Sequence, residues 1–287
     1  MTQPHTAEEM VAGIDNLASL PAVYQRVKAI IDDQNSSIGD LSNVLTADAA
    51  LAARLLRVVN SVYFGLMSRV ETVSRAVSLL GMQQVHDIVL ATSVSNMFKG
   101  MSPGNMNMTR YWSNSVMCAL IARTAAEVER EGDLERYFLA GLLADLGHLV
   151  MYRVEPALAE QARVVASRDH LPLHVLEREL IGCDYAQVGA ALIAKWSLPP
   201  RLGRAIAGQI SPSEIEADFR HDAALVHLGR FLADAMEDKI DQEEVIAAID
   251  PAVWSATRVT PGNLASIKTM AELNHSEVVA LYFPQIA

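Results

Sequence analysis

The 287-residue chain is 51% hydrophobic, which excludes a largely disordered polypeptide and allows a sizeable buried core. Asp and Glu outnumber Lys and Arg by 34 to 23, and the formal net charge of −11 argues against nucleic acid as the main partner. Two cysteines, Cys118 and Cys183, sit in apolar helix-like stretches, so neither a disulfide framework nor a cysteine zinc site is expected.

The mean hydropathy is high, +0.18, yet no uncharged run is long enough to span a bilayer. Residues 1–10 carry no basic stretch followed by an apolar one, so no signal peptide is expected and the expected location is the cytoplasm.

Helical patterning runs through almost the whole chain, with breaks at Pro, Gly or Ser-Asp positions. Pro21 opens a helix with Val23, Val27, Ile30 and Ile31 on one face. Ser37 and Asp40 form a capping box for residues 38–45, and Asp48 caps a helix striped by Leu51, Leu55, Val58 and Val59. Residues 60–65 form a turn; helices follow at 73–80, ended by Gly81, and at 83–98. The stretch 100–108, with two Gly, one Pro and no charge, is the best internal boundary. Thr109 is expected to cap a long helix, 110–131, followed by helices at 133–143, 146–155, 157–168, 173–181, 186–196 and 200–208. Later helices are expected at 221–237 and 243–249, with short pieces near Pro251 and at 266–273. The expectation is an all-α fold of two lobes, an N-terminal lobe over 1–104 and a second lobe with a helical tail over 105–287.

Common nucleotide, zinc-protease and serine-hydrolase motifs do not occur: there is no GxxxxGK[ST], GxGxxG after a strand, HExxH or GxSxG. Other stretches are informative. Residues 17–27 read LASLPAVYQRV, 47–65 read ADAALAARLLRVVNSVYFG, and 73–94 read VSRAVSLLGMQQVHDIVLATSV. Residues 137–151 read YFLAGLLADLGHLVM, and 184–206 read DYAQVGAALIAKWSLPPRLGRAI. These five ordered pieces resemble the HDOD domain, a degenerate branch of the HD metal-dependent phosphohydrolase superfamily, over about residues 17–210. The resemblance implies the two-lobed helical HD-like fold.

Active members of that superfamily hold metal with a His, a His-Asp pair and a later Asp; such ligands suit ions that activate water against phosphoesters. Carried onto this chain, the first His position is Asn114 and the pair reads Ala144-Asp145, thirty residues on. A further family His falls at Tyr185, a later His pair at Gly208-Gln209, and the late Asp at Arg230. Only Asp145 survives, so no catalytic residue, metal or cofactor is expected. A guanidinium where a cation sat is expected to pair with Asp145.

Two literal His-Asp dipeptides, His86-Asp87 and His221-Asp222, read as surface or capping residues. His148 lies one helical turn after Ala144; it reads as a packing or surface residue, with replacement metal ligand as the alternative. Pro172 breaks any helix joining His170 to His174, and His227 reads as partly buried and hydrogen-bonded. In the first lobe Arg54, Arg57, Asn60, Ser61, Tyr63 and Phe64 cluster around one helix end. Asn60 and Ser61 read first as backbone ties; the alternative is a docking surface of Arg54, Arg57, Asn60, Tyr63 and Phe64. Met97, Met101, Met106 and Met108 read as boundary packing, with an adaptable groove as alternative.

The resemblance implies a bacterial regulatory protein. The expected function is a non-catalytic signal-transduction domain that binds a signalling protein or a small regulatory nucleotide, with no nucleic acid or membrane partner. Its vestigial pocket would be lined by Asn114, Asp145, His148, Tyr185, Gln209 and Arg230. The alternatives are a phosphohydrolase with an altered ligand set, built from Asp145, His148 and Asp184 or Glu179, and a purely structural interaction module.

Overall fold

The computed structural model describes residues 4–14, 20–98 and 106–284. Those residues form α-helices and short 3₁₀ turns, with no strand among them. In chain order the first six helices are α1 (Ala7–Ala12), α2 (Ala22–Asp32), α3 (Ile38–Thr46), α4 (Ala49–Val59), α5 (Val73–Leu80) and α6 (Met82–Met97). Then come α7 (Met108–Val128), α8 (Leu134–Leu143), α9 (Leu146–Val154), α10 (Pro156–Asp169), α11 (Leu173–Leu180) and α12 (Tyr185–Lys195). The last are α13 (Pro200–Ala207), α14 (Ala217–Asp238), α15 (Gln242–Ala248), α16 (Pro251–Ala256) and α17 (Leu264–Tyr282). No described helix is long and apolar enough to cross a membrane.

Caps set many of the boundaries. The Ser37–Asp40 box and the Asp48 cap form as the sequence predicts. The long helix differs: Asn107, not Thr109, accepts the Arg110 N–H and starts α7, and the left-handed Arg130 (φ 62°) stops it short of 131. The final helix is much longer than the expected piece at 266–273. Asn274, His275 and Ser276 interrupt the apolar pattern, but no Gly or Pro falls within α17 to break it.

The chain folds into two compact units, Met1–Ser19 with Gly100–Ala271, and Leu20–Lys99 with Glu272–Ala287. This division differs from a cut at residue 104, because α1 packs on α12 and α9 and so joins the larger unit. In the smaller unit, α2 to α6 pack around Tyr24, Val27, Leu41, Leu55, Val77 and Val85, all fully buried.

The larger unit is built on α7, which packs along α8 and α14, while α12 lies between α9 and α13. Two glycines set its closest approaches. A Cβ at Gly147 on α9 would lie 1.9 Å from the Tyr185 carbonyl oxygen, and one at Gly229 on α14 would lie 2.6 Å from the Cys118 carbonyl oxygen. Bare backbone at these crossings lets the helices carrying Asp145, Tyr185 and Arg230 converge. Cys118 and Cys183 are free and buried.

Candidate functional site

Asp145 occupies the tight corner between α8 and α9, as the N-cap residue of α9. Its Oδ1 accepts a hydrogen bond from Arg230 Nε at 2.7 Å, so the expected pairing forms. Arg230, in the middle of α14, also pairs through Nη1 with Asp234 one turn further on. Asn114 on α7 donates from Nδ2 to Asp234 Oδ1 at 2.8 Å. One guanidinium thus joins two carboxylates, and an amide closes the group.

The second half of the cluster is aromatic. His148, one turn into α9, stacks on the Tyr185 ring at 4.2 Å between centroids, with 21° between planes. Its Nδ1 is 3.8 Å from Asp145 Oδ1, and its Nε2 is 3.1 Å from Glu177 Oε1 without hydrogen-bond alignment. The other Glu177 oxygen accepts the Tyr185 backbone N–H at 3.0 Å. His148 is buried, which settles its position as packing rather than surface. Arg230 also stands 6.0 Å from the Tyr185 ring centroid.

Gln209 meets the same corner from behind. Its Nε2 donates to the carbonyl oxygens of Ala144, at 2.8 Å, and Ile206, at 3.1 Å. The Gln209 backbone carbonyl accepts from His227 Nδ1 at 2.7 Å, while His227 Nε2 accepts the Asp250 N–H at 3.2 Å. His227 is therefore buried and bonded at both nitrogens, as the sequence predicts.

Electrostatics follow from burial and partners. Burial opposes the Arg230 charge, but Asp145 and Asp234 outweigh it and hold the guanidinium firmly protonated. Burial likewise works against a charged His148, and Glu177 together with Asp145 reverses this, raising its pKa. Burial pushes the Tyr185 hydroxyl far up, so it stays neutral.

The resemblance to the HD superfamily implies a metal centre here, and the residues do not fit one. The surviving carboxylate faces a fixed cation. A divalent ion about 4 Å from a guanidinium is disfavoured by roughly 8 kcal/mol at an effective dielectric of about 20. The replacement carboxylates suggested by sequence lie elsewhere: Glu179 is exposed, and Asp184 caps α12 and pairs with Arg178. The acids beside the cluster are the buried Glu177 and, on its open side, the partly exposed Asp234.

Neither literal His-Asp dipeptide caps a helix, and of the four residues only His221 is partly exposed. His86 and Asp87 are buried on α6; Tyr24 Oη lies 2.8 Å from His86 Nε2, and Asp87 Oδ1 lies 2.7 Å from His86 Nδ1. Neighbouring Val85, Ile88 and Val89 are all buried as well, so this helix is enclosed around most of its girth. His221 and Asp222 lie one turn inside α14, where Asp222 is buried and pairs with Arg201.

In the smaller unit the clustered residues separate. Asn60 is a backbone tie: Nδ2 donates to the Leu56 and Val70 carbonyls, and Oδ1 accepts the Val70 N–H, each at 2.7 Å. Arg54 turns inward to the Tyr282 carbonyl and to Asn96 Oδ1, and Tyr63 is buried against Phe64. A docking surface of all five residues is therefore not presented. Arg57 instead lines an open groove of about 990 Å³ with Asn60, Ser61, Arg69, Glu71 and Glu277. Met97, Met106 and Met108 are half-buried, and Met101 falls outside the described residues.

Comparison with known proteins places the family and the fold. The HDOD domain model matches residues 17–212. A protein of unknown function from Treponema pallidum (strain Nichols) is 24% identical over 187 residues, taking in 65% of this chain and 36% of that protein. This chain thus spans about a third of that relative. A crystal structure from Shewanella amazonensis SB2B, named provisionally as a phosphohydrolase, aligns with a TM-score of 0.75 and 25% identity over 99% of both chains. An HDOD domain protein of unknown function from Geobacter sulfurreducens aligns with a TM-score of 0.70 and 20% identity, over 96% of this chain and 94% of that one.

Proposed function

Since the chain belongs to the HDOD domain family, we propose that it is a non-catalytic signal-transduction domain whose metal centre has been replaced by a protein ion pair. The observation that carries this reading is the bond from Arg230 to Asp145, the sole acid left from the family's ligand set. The guanidinium supplies the positive charge that a metal supplies in active relatives, but it offers no open coordination position and cannot activate water.

With chemistry removed, the retained fold serves recognition. The domain binds a signalling protein or a small regulatory ligand, and the acidic surface favours a partner with a basic face. The test is hydrolysis of bis-p-nitrophenyl phosphate and of cyclic dinucleotides with Mn²⁺, Fe²⁺ or Ni²⁺. The expected result is no turnover above buffer. Metal-dependent turnover lost in Asp145→Asn would overturn the proposal in favour of a phosphohydrolase with an altered ligand set.

A further inference from the structure

A second group of metal-ligating side chains stands apart from Asp145. Glu129 is the C-cap residue of α7, Glu131 lies two residues beyond, and His221 projects from the second turn of α14. One ligand atom from each lies within 4.8 Å of the other two. The turn between the two acids is fixed: Arg130 is left-handed, and the Glu131 N–H donates to the Ala126 carbonyl at 3.1 Å.

Glu129 carries the independent observation. Its Oε2 lies 2.9 Å from His221 Nε2, while its Oε1 is buried without a hydrogen-bond partner, in a residue only 7% exposed. A buried carboxylate oxygen left unpaired is costly, and a cation answers that cost directly. On its other side, His221 Nδ1 stands 3.4 Å from Asp222 Oδ1, the outer carboxylate–imidazole arrangement that orients a metal-bound His. Tyr137 Oη is also 3.4 Å from that nitrogen and donates to Asp222 Oδ1 at 3.2 Å.

Arg136 lies 3.5 Å from Glu131 Oε2 and 3.6 Å from Asp222 Oδ1, and Arg201 pairs with Asp222. Three carboxylates thus face two guanidiniums and His221, whose pKa Asp222 and Glu129 raise to about 9, so a bound ion takes the place of the imidazolium proton. Glu131 and His221 are partly exposed, which gives an ion access.

We propose that Glu129, Glu131 and His221 form a binding site for a divalent first-row metal ion, with zinc the best match to one imidazole and two carboxylates. The ion clips the end of α7 to α14 and leaves a fourth position for water. It is separate from the family's catalytic centre and does not require catalysis.

The test is Zn²⁺ titration of the full chain, after chelator treatment and dialysis, followed by calorimetry. The expected result is one Zn²⁺ per chain, weakened at least about tenfold in Glu131→Gln, lost in His221→Ala, and unchanged in Asp145→Asn. Glu131 is partly exposed, so its variant reports on binding even if His221→Ala fails to fold. No uptake, or uptake that Glu131→Gln leaves intact, overturns the site. Uptake lost in Asp145→Asn overturns it too, and also overturns the non-catalytic reading of the first cluster.

Discussion

Arg230 Nε donates to Asp145 Oδ1 across 2.7 Å, joining the middle of α14 to the corner between α8 and α9. Asp145 is 6% exposed, so removing its partner strands a buried charge. Breaking such a pair from one side costs about 3–5 kcal/mol, whereas the pair itself adds little over apolar packing. Arg230→Ala is therefore expected to lower the denaturant midpoint strongly, and the double variant Arg230→Met with Asp145→Leu to recover most of the loss. Chemical denaturation of both variants checks this; an Arg230→Ala protein as stable as the parent would contradict it.

The close crossings make a second prediction. A methyl at Gly147 has nowhere to go, because the Tyr185 carbonyl would lie 1.9 Å from it and the Gly189 nitrogen 2.9 Å. Gly147→Ala should separate α9 from α12, costing at least about 2–3 kcal/mol. Thermal melts should show the loss, while Gly132→Ala, whose Cβ meets nothing within 4 Å, should melt like the parent.

His227 gives a pH dependence with a definite sign. Burial lowers its pKa below the ordinary 6.5, against the opposing effects of the Gln209 carbonyl and Asp250. The unfolded chain then takes up a proton that the folded chain refuses. Stability from this group is full above about pH 6.5 and falls as the pH drops below it. His148 has the opposite sign, since its raised pKa adds stability that is lost as pH rises through the folded value. Comparing the parent with His227→Asn isolates the first effect: the difference in stability between them should shrink on acidification below about pH 6.5.

Asn60 offers a local readout. Three hydrogen bonds from one side chain close the loop between α4 and α5, and Val70 behind them is buried. Asn60→Ala should cost about 1–2 kcal/mol and speed amide exchange at Val70 more than elsewhere in the smaller unit.

Much of the site could be read before the structure, for physical reasons that differ by residue. Asp145 and Arg230 were placed by motif alignment, and their opposite charges predicted the pairing. Asp234 was legible in principle, four residues after Arg230, where helical side chains meet. Glu177 was passed over for Glu179, although it lies inside the stripe of Leu173, Leu176 and Leu180 that turns α11 inward. His86-Asp87 was misread because one-sided helical patterning is a poor guide when a helix is buried nearly all round. The longest miss is the end of α17, where Asn274, His275 and Ser276 interrupt the apolar pattern without breaking the backbone.

The most direct measurement is the metal content of His221→Ala after loading with Mn²⁺, Fe²⁺ and Ni²⁺, because that variant removes the other candidate site. With Arg230 seated on Asp145, the protein should carry no metal above background. About one ion per chain, lost again when Asp145→Asn is added, would contradict the replacement of the metal centre by the ion pair.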